Sequence, residues 1–262
     1  MRRIAQLAII VAYAVTPGIL PAQFGGGPGR AAAPMPGKGG APIDLTGYWV
    51  SVVTEDWRWR MITPLKGDAA SVPTTAEARK LIEAWDPAKD EAAGTQCKAY
   101  GAPAIMRVPG RLHISWQDDL TLKIDTDAGQ QTRLFHFAGQ PPHASAPSWQ
   151  GFSAAKWESG APVVGAQLPL GLVRVNQKSR SLEVVTTQLR AGYLRKNGVP
   201  YSDKTVLKEY YDLFNEPNGD IWFMVTTIVD DPVYLAGPFV TTSNFKKIPD
   251  SSGWDPAPCS AK

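Results

Sequence analysis

The chain has 262 residues, 44% of them hydrophobic, and 27 lysines and arginines against 24 aspartates and glutamates, a formal net charge of +3. The apolar content supports a sizeable core, while the near balance of charge, without a basic stripe or basic helix, argues against nucleic acid or an anionic membrane surface as partner. Two isolated cysteines and three histidines lack metal-finger spacing, and no glycine-rich nucleotide turn follows a strand, so neither a metal nor a cofactor is expected.

Taken in chain order, Met1 to Arg3 is a positively charged start, Ile4 to Val15 is an apolar run, and Leu20-Pro21-Ala22 offers a small residue for cleavage. The run is too short to span a bilayer. Residues 1–22 therefore read as a secretory signal, with no membrane span in the mature chain and a periplasmic or secreted destination. Removing Arg2 and Arg3 with it lowers the net charge to +1. Residues 23–43 are almost entirely Gly, Ala and Pro and read as a flexible linker, leaving one folded domain over 44–262.

From Gly47 onward, short alternating segments are punctuated by Gly, Pro, Asn and Asp, as in antiparallel strands. The predicted strands are Tyr48 to Val53, Trp57 to Ile62, Arg111 to Gln117, Leu120 to Thr126, Gln131 to Phe137, Ala154 to Glu158, Leu182 to Gln188, Val206 to Phe214, Ile221 to Val229 and Val240 to Lys247. One short helix is expected from the Thr74-Thr75 cap through Ala78 to Trp85, stopped by Asp86-Pro87. Turns at Gln117-Asp118-Asp119 and Asn218-Gly219 close two hairpins. Ten short strands with local connections favour a single antiparallel barrel, because closure removes unpaired edges; a β-sandwich is the alternative. In an exported chain Cys97 and Cys259 are expected to join in one disulfide that ties down the C-terminal tail, with two unpaired thiols as the alternative.

The stretches DLTGYW (44–49), QCKAYGAPAIM (96–106), TDAGQQTRLFHF (126–137), PSWQGFSAAKWE (147–158), SLEVVTTQL (181–189), GVPYSD (198–203) and TTIVDDP (226–232), taken together, resemble a large, functionally uncharacterised group of exported bacterial proteins. The resemblance covers nearly all of the mature chain and implies a lipocalin-like barrel. It carries no established activity, so no catalytic residue is transferred. After Trp157-Glu158 this chain departs from the pattern with an insertion near 159–180, expected to form an extra hairpin or lid at a barrel rim.

Strand alternation decides which polar groups point inward. Arg133 shares a face with Phe135 and Phe137, and Glu209 with Leu207, Tyr211 and Leu213. Charges on such faces are costly unless paired or used, which makes the two a suspected pair inside the barrel. Either they form a structural ion pair, or Arg133 clamps a ligand oxygen and Glu209 acts as a base. His143, in a proline-rich connection, and Tyr201 are the other candidate acid/base groups, while His113 reads as solvent-facing. Asp230 and Asp231 read as turn carboxylates ahead of Pro232. Gly151-Phe152-Ser153-Ala154-Ala155 fails as a nucleophile elbow, since no strand-turn-helix surrounds it.

Trp49, Trp57, Trp59, Trp149, Trp157 and Trp222 are the candidate walls of a ligand cavity, with Arg58 and Arg60 expected to face solvent. The function expected from the residues is the binding of a small apolar or aromatic molecule in an aromatic-lined barrel. A cofactor-independent lyase, isomerase or cyclase on the same barrel is the second reading, and a structural envelope protein with a filled barrel the third.

Overall fold

The computed structural model describes residues 36–139, 146–158, 163–164, 174–175 and 181–261. The residues read as a secretory signal, most of those read as a linker, His143 and most of the 159–180 insertion lie outside the described residues. Nine strands form a closed barrel: β1 (Gly47–Val52), β2 (Arg111–Asp118), β3 (Thr121–Thr126), β4 (Thr132–His136), β5 (Phe152–Trp157), β8 (Ser181–Thr187), β11 (Val206–Asn215), β12 (Ile221–Asp230) and β13 (Phe239–Ile248). Two hairpins stand outside it, β6 (Val163–Val164) with β7 (Arg174–Val175), and β9 (Gly192–Arg195) with β10 (Val199–Tyr201). The barrel is antiparallel except where β4 and β5 run parallel, Phe135 facing Ser153 and His136 facing Ala154.

Nine of the ten predicted strands are the nine barrel strands. The tenth is a correction: Trp57–Arg60 is the short helix α1, not a strand. The alternation of WRWR suggested two faces, but Asp56 adopts a left-handed backbone conformation at φ 53° that turns the chain out of line with β1. Met61 N–H then bonds the Trp57 carbonyl, and Arg60 turns inward to Glu55 at 2.7 Å. A second difference concerns Asp86-Pro87. Helix α2 (Ala76–Ala84) does start at the Thr75 cap, but Asp86 also caps a further helix, α3 (Pro87–Ala92), with Pro87 in its first turn. A fourth helix, α4 (Ala102–Ile105), follows.

Residues 36–43, expected to belong to the flexible linker, are packed against the barrel. Gly37–Gly40 forms a 3-10 turn, Lys38 N–H bonds the Asp119 carbonyl, and Trp157 Nε1–H donates to Gly37 O at 2.7 Å. These contacts lie at the end of the barrel where Trp116, Phe137 and Trp157 meet.

Inward residues alternate along every strand and fill the lumen. Trp49 meets Phe223 edge-on at 4.6 Å, Phe223 stacks on Phe245 at 4.8 Å, and Phe135 meets Tyr211 at 5.5 Å. Trp49, Phe135, Tyr211, Phe223, Arg133 and Glu209 are each 0% exposed, so no water-sized void reaches them. These side chains occupy the lumen and leave no open volume against themselves.

The opposite end is closed by a plug. Leu207, Val229 and Phe239, which lie in register on β11, β12 and β13, pack there with Ile82 of α2, Leu194 of β9, and Val199 and Tyr201 of β10. The connection from β1 to β2, residues 53–110, carries all four helices across this end. A disulfide joins Cys97 to Cys259 and fixes the C-terminal tail to the 3-10 turn Gln96–Tyr100, with Cys259 packed against the lumen cluster. One such crosslink and no free cysteine fit an oxidising compartment.

Candidate functional site

The expected pair is present inside the barrel. Arg133 donates from Nη1 and Nη2 to the two carboxylate oxygens of Glu209 at 2.9 and 2.6 Å. Tyr211 OH sits 3.3 Å from both, Thr186 Oγ1 is 3.4 Å from Arg133 Nη2, and Ser153 Oγ is 2.7 Å from Thr186 Oγ1. Burial works against the Arg133 charge, but Glu209 outweighs it and holds the guanidinium above its ordinary pKa. Burial, reinforced by Glu209, pushes the Tyr211 phenol up as well. Arg133 Nε alone is left without a partner among the described residues; with both carboxylate oxygens engaged and no exposed surface, the pair is a fixed internal strut with no approach for a substrate.

The other sequence candidates do not converge on it. Tyr201 is 0% exposed in the plug, its phenol raised by burial and packed against Gly101 and Gly192. Trp49 is in the lumen, Trp57 is 66% exposed, and Trp157 caps the far end. Trp149 donates to the Ala191 carbonyl beneath Arg190, and Trp222 lies under Lys246. Asp231 is a turn residue: it accepts from the backbone of Ser202, Val233 and Tyr234 and from the Thr205 hydroxyl. His113 stacks on Tyr48 at 4.3 Å and His136 on Phe152 at 4.9 Å, both on the outer face. Ser153 is buried in β5.

Trp59 alone among the six tryptophans lines an open site. It borders a cleft of about 380 Å³ at the plugged end, outside the lumen. Arg60 closes one side at the end of α1, Arg107 follows α4, and Arg195 ends β9; Tyr100, Leu194 and Lys196 complete the wall. The three arginines are 7%, 5% and 4% exposed, so the expectation that Arg60 faces solvent is also corrected.

Their hydrogen bonding is uneven. Arg60 donates from Nε to the Arg107 carbonyl at 2.9 Å and from Nη1 to Glu55 at 2.7 Å, leaving Nη2 free. Arg107 donates from Nη2 to Asp56 at 2.8 Å, leaving Nη1 free. Arg195 has no partner for Nε, Nη1 or Nη2 among the described residues. Its guanidinium lies 4.8 Å above the Trp59 ring and 6.0 Å from Phe239, which shelters the charge without satisfying its donors. Desolvation, then the charge of Arg107, lowers its pKa to about 10, against the pull of Asp56 and Asp68. Arg60 is lowered for the same two reasons.

The opposite wall is set by the C-terminal tail. Gly129 N–H donates to the Ala257 carbonyl at 2.8 Å, and Ala257 N–H to the Asp127 carbonyl at 3.0 Å, which brings Ala257 and Pro258 to the cleft edge. Gly129 has φ +75°, and a Cβ there would fall 2.3 Å from the Tyr100 ring. Only glycine lets the tail and Tyr100 approach this closely. The crosslink between Cys97 and Cys259 holds both walls together.

Comparison with known protein families, with characterised proteins and with solved structures finds no match to this chain. The site therefore has to be read from its own chemistry. Its lining has four cations and no carboxylate or histidine, so it supplies charge and donors but no carboxylate or imidazole base. Among the described residues no cluster of histidine, cysteine, aspartate and glutamate could hold a metal.

Proposed function

We propose that this is an exported protein that binds a small organic anion in the cleft of Arg60, Arg107 and Arg195. Arg195 carries the reading: it borders the cleft, is 4% exposed, and has three buried nitrogens without a partner among the described residues. Leaving a buried charge without hydrogen bonds costs several kcal/mol. A carboxylate or phosphate oxygen offers the acceptors that the site lacks, and the planar donors of arginine suit either. The wall formed by Tyr100, Leu194, Ala104 and Val108 favours an apolar or aromatic body behind that charged group. The leader-like N-terminus and the disulfide support a periplasmic or secreted setting.

Calorimetric titration of the full chain with phenylacetate, 2-phenylethanol and inorganic phosphate tests this. Phenylacetate is expected to saturate one site, 2-phenylethanol to bind at least about tenfold more weakly, and Arg195→Met to lose about tenfold or more in phenylacetate affinity. Equal affinity for acid and alcohol, or no change in Arg195→Met, overturns the reading. Tighter binding of phosphate than of phenylacetate would keep the anion site and discard the apolar body.

A further inference from the structure

The rim of the cleft, to which Met61 and Ile62 belong, carries a feature that anion binding does not explain. The four most exposed large apolar side chains among the described residues all fall in one nine-residue segment: Trp57 at 66%, Met61 at 58%, Ile62 at 68% and Leu65 at 82%. Elsewhere no large apolar side chain exceeds the 56% of Val240. Isolated exposed hydrophobics are ordinary, but their concentration on one projecting segment is not.

The segment is held out from the body by specific bonds. The α1 turn sets Trp57 and Met61 on one side, through the bond of Met61 N–H to the Trp57 carbonyl. Asn197 Nδ2 donates to the carbonyls of Leu65 and Asp68 at 2.9 Å each, fixing the outgoing turn while the Leu65 side chain points to solvent. Trp59 Nε1–H bonds Asp68 at 3.0 Å, so Trp59 faces inward and Trp57 outward.

The charges around it are sorted by direction. Glu55 and Asp56 turn toward Arg60 and Arg107, and Asp68 toward Trp59 and Arg58. The accessible cations are Arg58, with its side chain 64% exposed and paired to Asp68, exposed Lys66 and half-buried Lys196. Arg60, Arg107 and Arg195 lie buried behind them at the cleft. These cations come from positions 58 to 196, which is why no basic stripe appears in the sequence.

We infer that the segment from Trp57 to Leu65 is a docking surface for an anionic lipid bilayer, entering the interfacial layer with its apolar side chains while Arg58, Lys66 and the mouth of the cleft meet the headgroups. A tryptophan, a methionine and two branched aliphatics flanked by long cationic side chains match the two layers of a bilayer surface, apolar beneath and anionic above. The mode is peripheral. The inference goes beyond anion binding in the cleft and does not require it.

Quenching of tryptophan fluorescence by vesicles of brominated phosphatidylcholine and brominated phosphatidylglycerol tests the contact directly. The chain has no tryptophan before Trp49, so the apolar N-terminal run is silent in this readout. The full chain is expected to be quenched on mixed anionic vesicles, and at least about threefold less on phosphatidylcholine alone. Trp57→Phe should still bind the vesicles but lose most of the quenching. The double variant Trp57→Ser/Leu65→Ser, at two exposed positions outside the cleft lining, should lower the partition coefficient measured by vesicle co-sedimentation roughly tenfold while phenylacetate affinity stays unchanged. Quenching that persists in Trp57→Phe, or equal partitioning of the double variant, overturns the inference. So does a concentration-dependent dimer in sedimentation that the double variant abolishes, since a second copy would then be the occupant.

Discussion

Two buried arginines of this chain sit in opposite circumstances. Arg133, in the lumen, meets both oxygens of Glu209 at 2.9 and 2.6 Å, with Tyr211 and Thr186 around it. Arg195, in the plug, is nearly as buried, yet none of its three nitrogens has a partner among the described residues, whereas Arg133 lacks one only at Nε. Both are buried, so burial does not separate structure from function; pairing of the charge does. A completed pair fixes a fold, whereas an incomplete one stores an unfavourable interaction that an incoming anion relieves.

The first way to break this contrast is to make Arg133 resemble Arg195. Glu209→Gln keeps the shape but removes the charge opposite a sealed guanidinium, and should cost about 3–5 kcal/mol in denaturant unfolding. Arg133→Met with Glu209→Leu removes both charges and should recover most of that loss. If the single variant unfolds too readily to measure, the double variant still decides the matter. Were it as unstable as the single, the pair would be contributing more than mutual neutralisation.

A comparable effect is expected from the wall of the cleft. Cys97→Ser with Cys259→Ser removes a crosslink between residues 162 positions apart, at a cost of about 2–5 kcal/mol. The loss should not be confined to stability, because Ala257 and Pro258 would no longer be held at the cleft edge. Phenylacetate affinity should fall in the serine variant measured well below its unfolding midpoint. Full affinity there would mean that the tail contributes nothing to the site.

The contrast also explains what the amino-acid sequence revealed. Arg133 shares its strand face with Phe135 and Phe137, and Glu209 with Leu207 and Tyr211, so period-two alternation placed both in the lumen and their pairing followed. Arg60, Arg107 and Arg195 have no such frame. Arg60 lies in WRWR, where alternation pointed it outward, and the left-handed Asp56 that reverses this is invisible to periodicity. Arg107 follows a four-residue helix, and Arg195 ends a four-residue strand paired through a bulge with Val199-Pro200-Tyr201. Such elements are too short to carry a pattern. The barrel was legible because nine strands repeat one rule, while the cleft is assembled from connections that obey none.

The opposite test makes Arg195 resemble an ordinary core residue. Arg195→Met keeps the apolar stem against Trp59 and Phe239 but deletes the unpartnered charge. It should raise stability by about 1–2 kcal/mol in denaturant unfolding, opposite in sign to the effect at Glu209. A destabilisation of similar size would mean that Arg195 has partners in the folded chain and would remove the main support for an anion site.

The smallest expected effect is in pH. The Arg195 pKa is lowered from the ordinary arginine value to about 10, by desolvation first and the neighbouring Arg107 charge second. For a base depressed in this way, the folded state carries its penalty at all pH values below the folded pKa, and sheds it as pH rises from about 10 toward the ordinary arginine range. The native chain should therefore gain stability relative to Arg195→Met as pH rises through that window. Anion affinity should move the other way, level from neutral pH to about 9 and then falling by up to about tenfold per pH unit once the guanidinium loses its proton. Titration of native chain and Arg195→Met with phenylacetate across this range checks both signs. A decline already under way near neutral pH would assign the binding charge to some group other than Arg195.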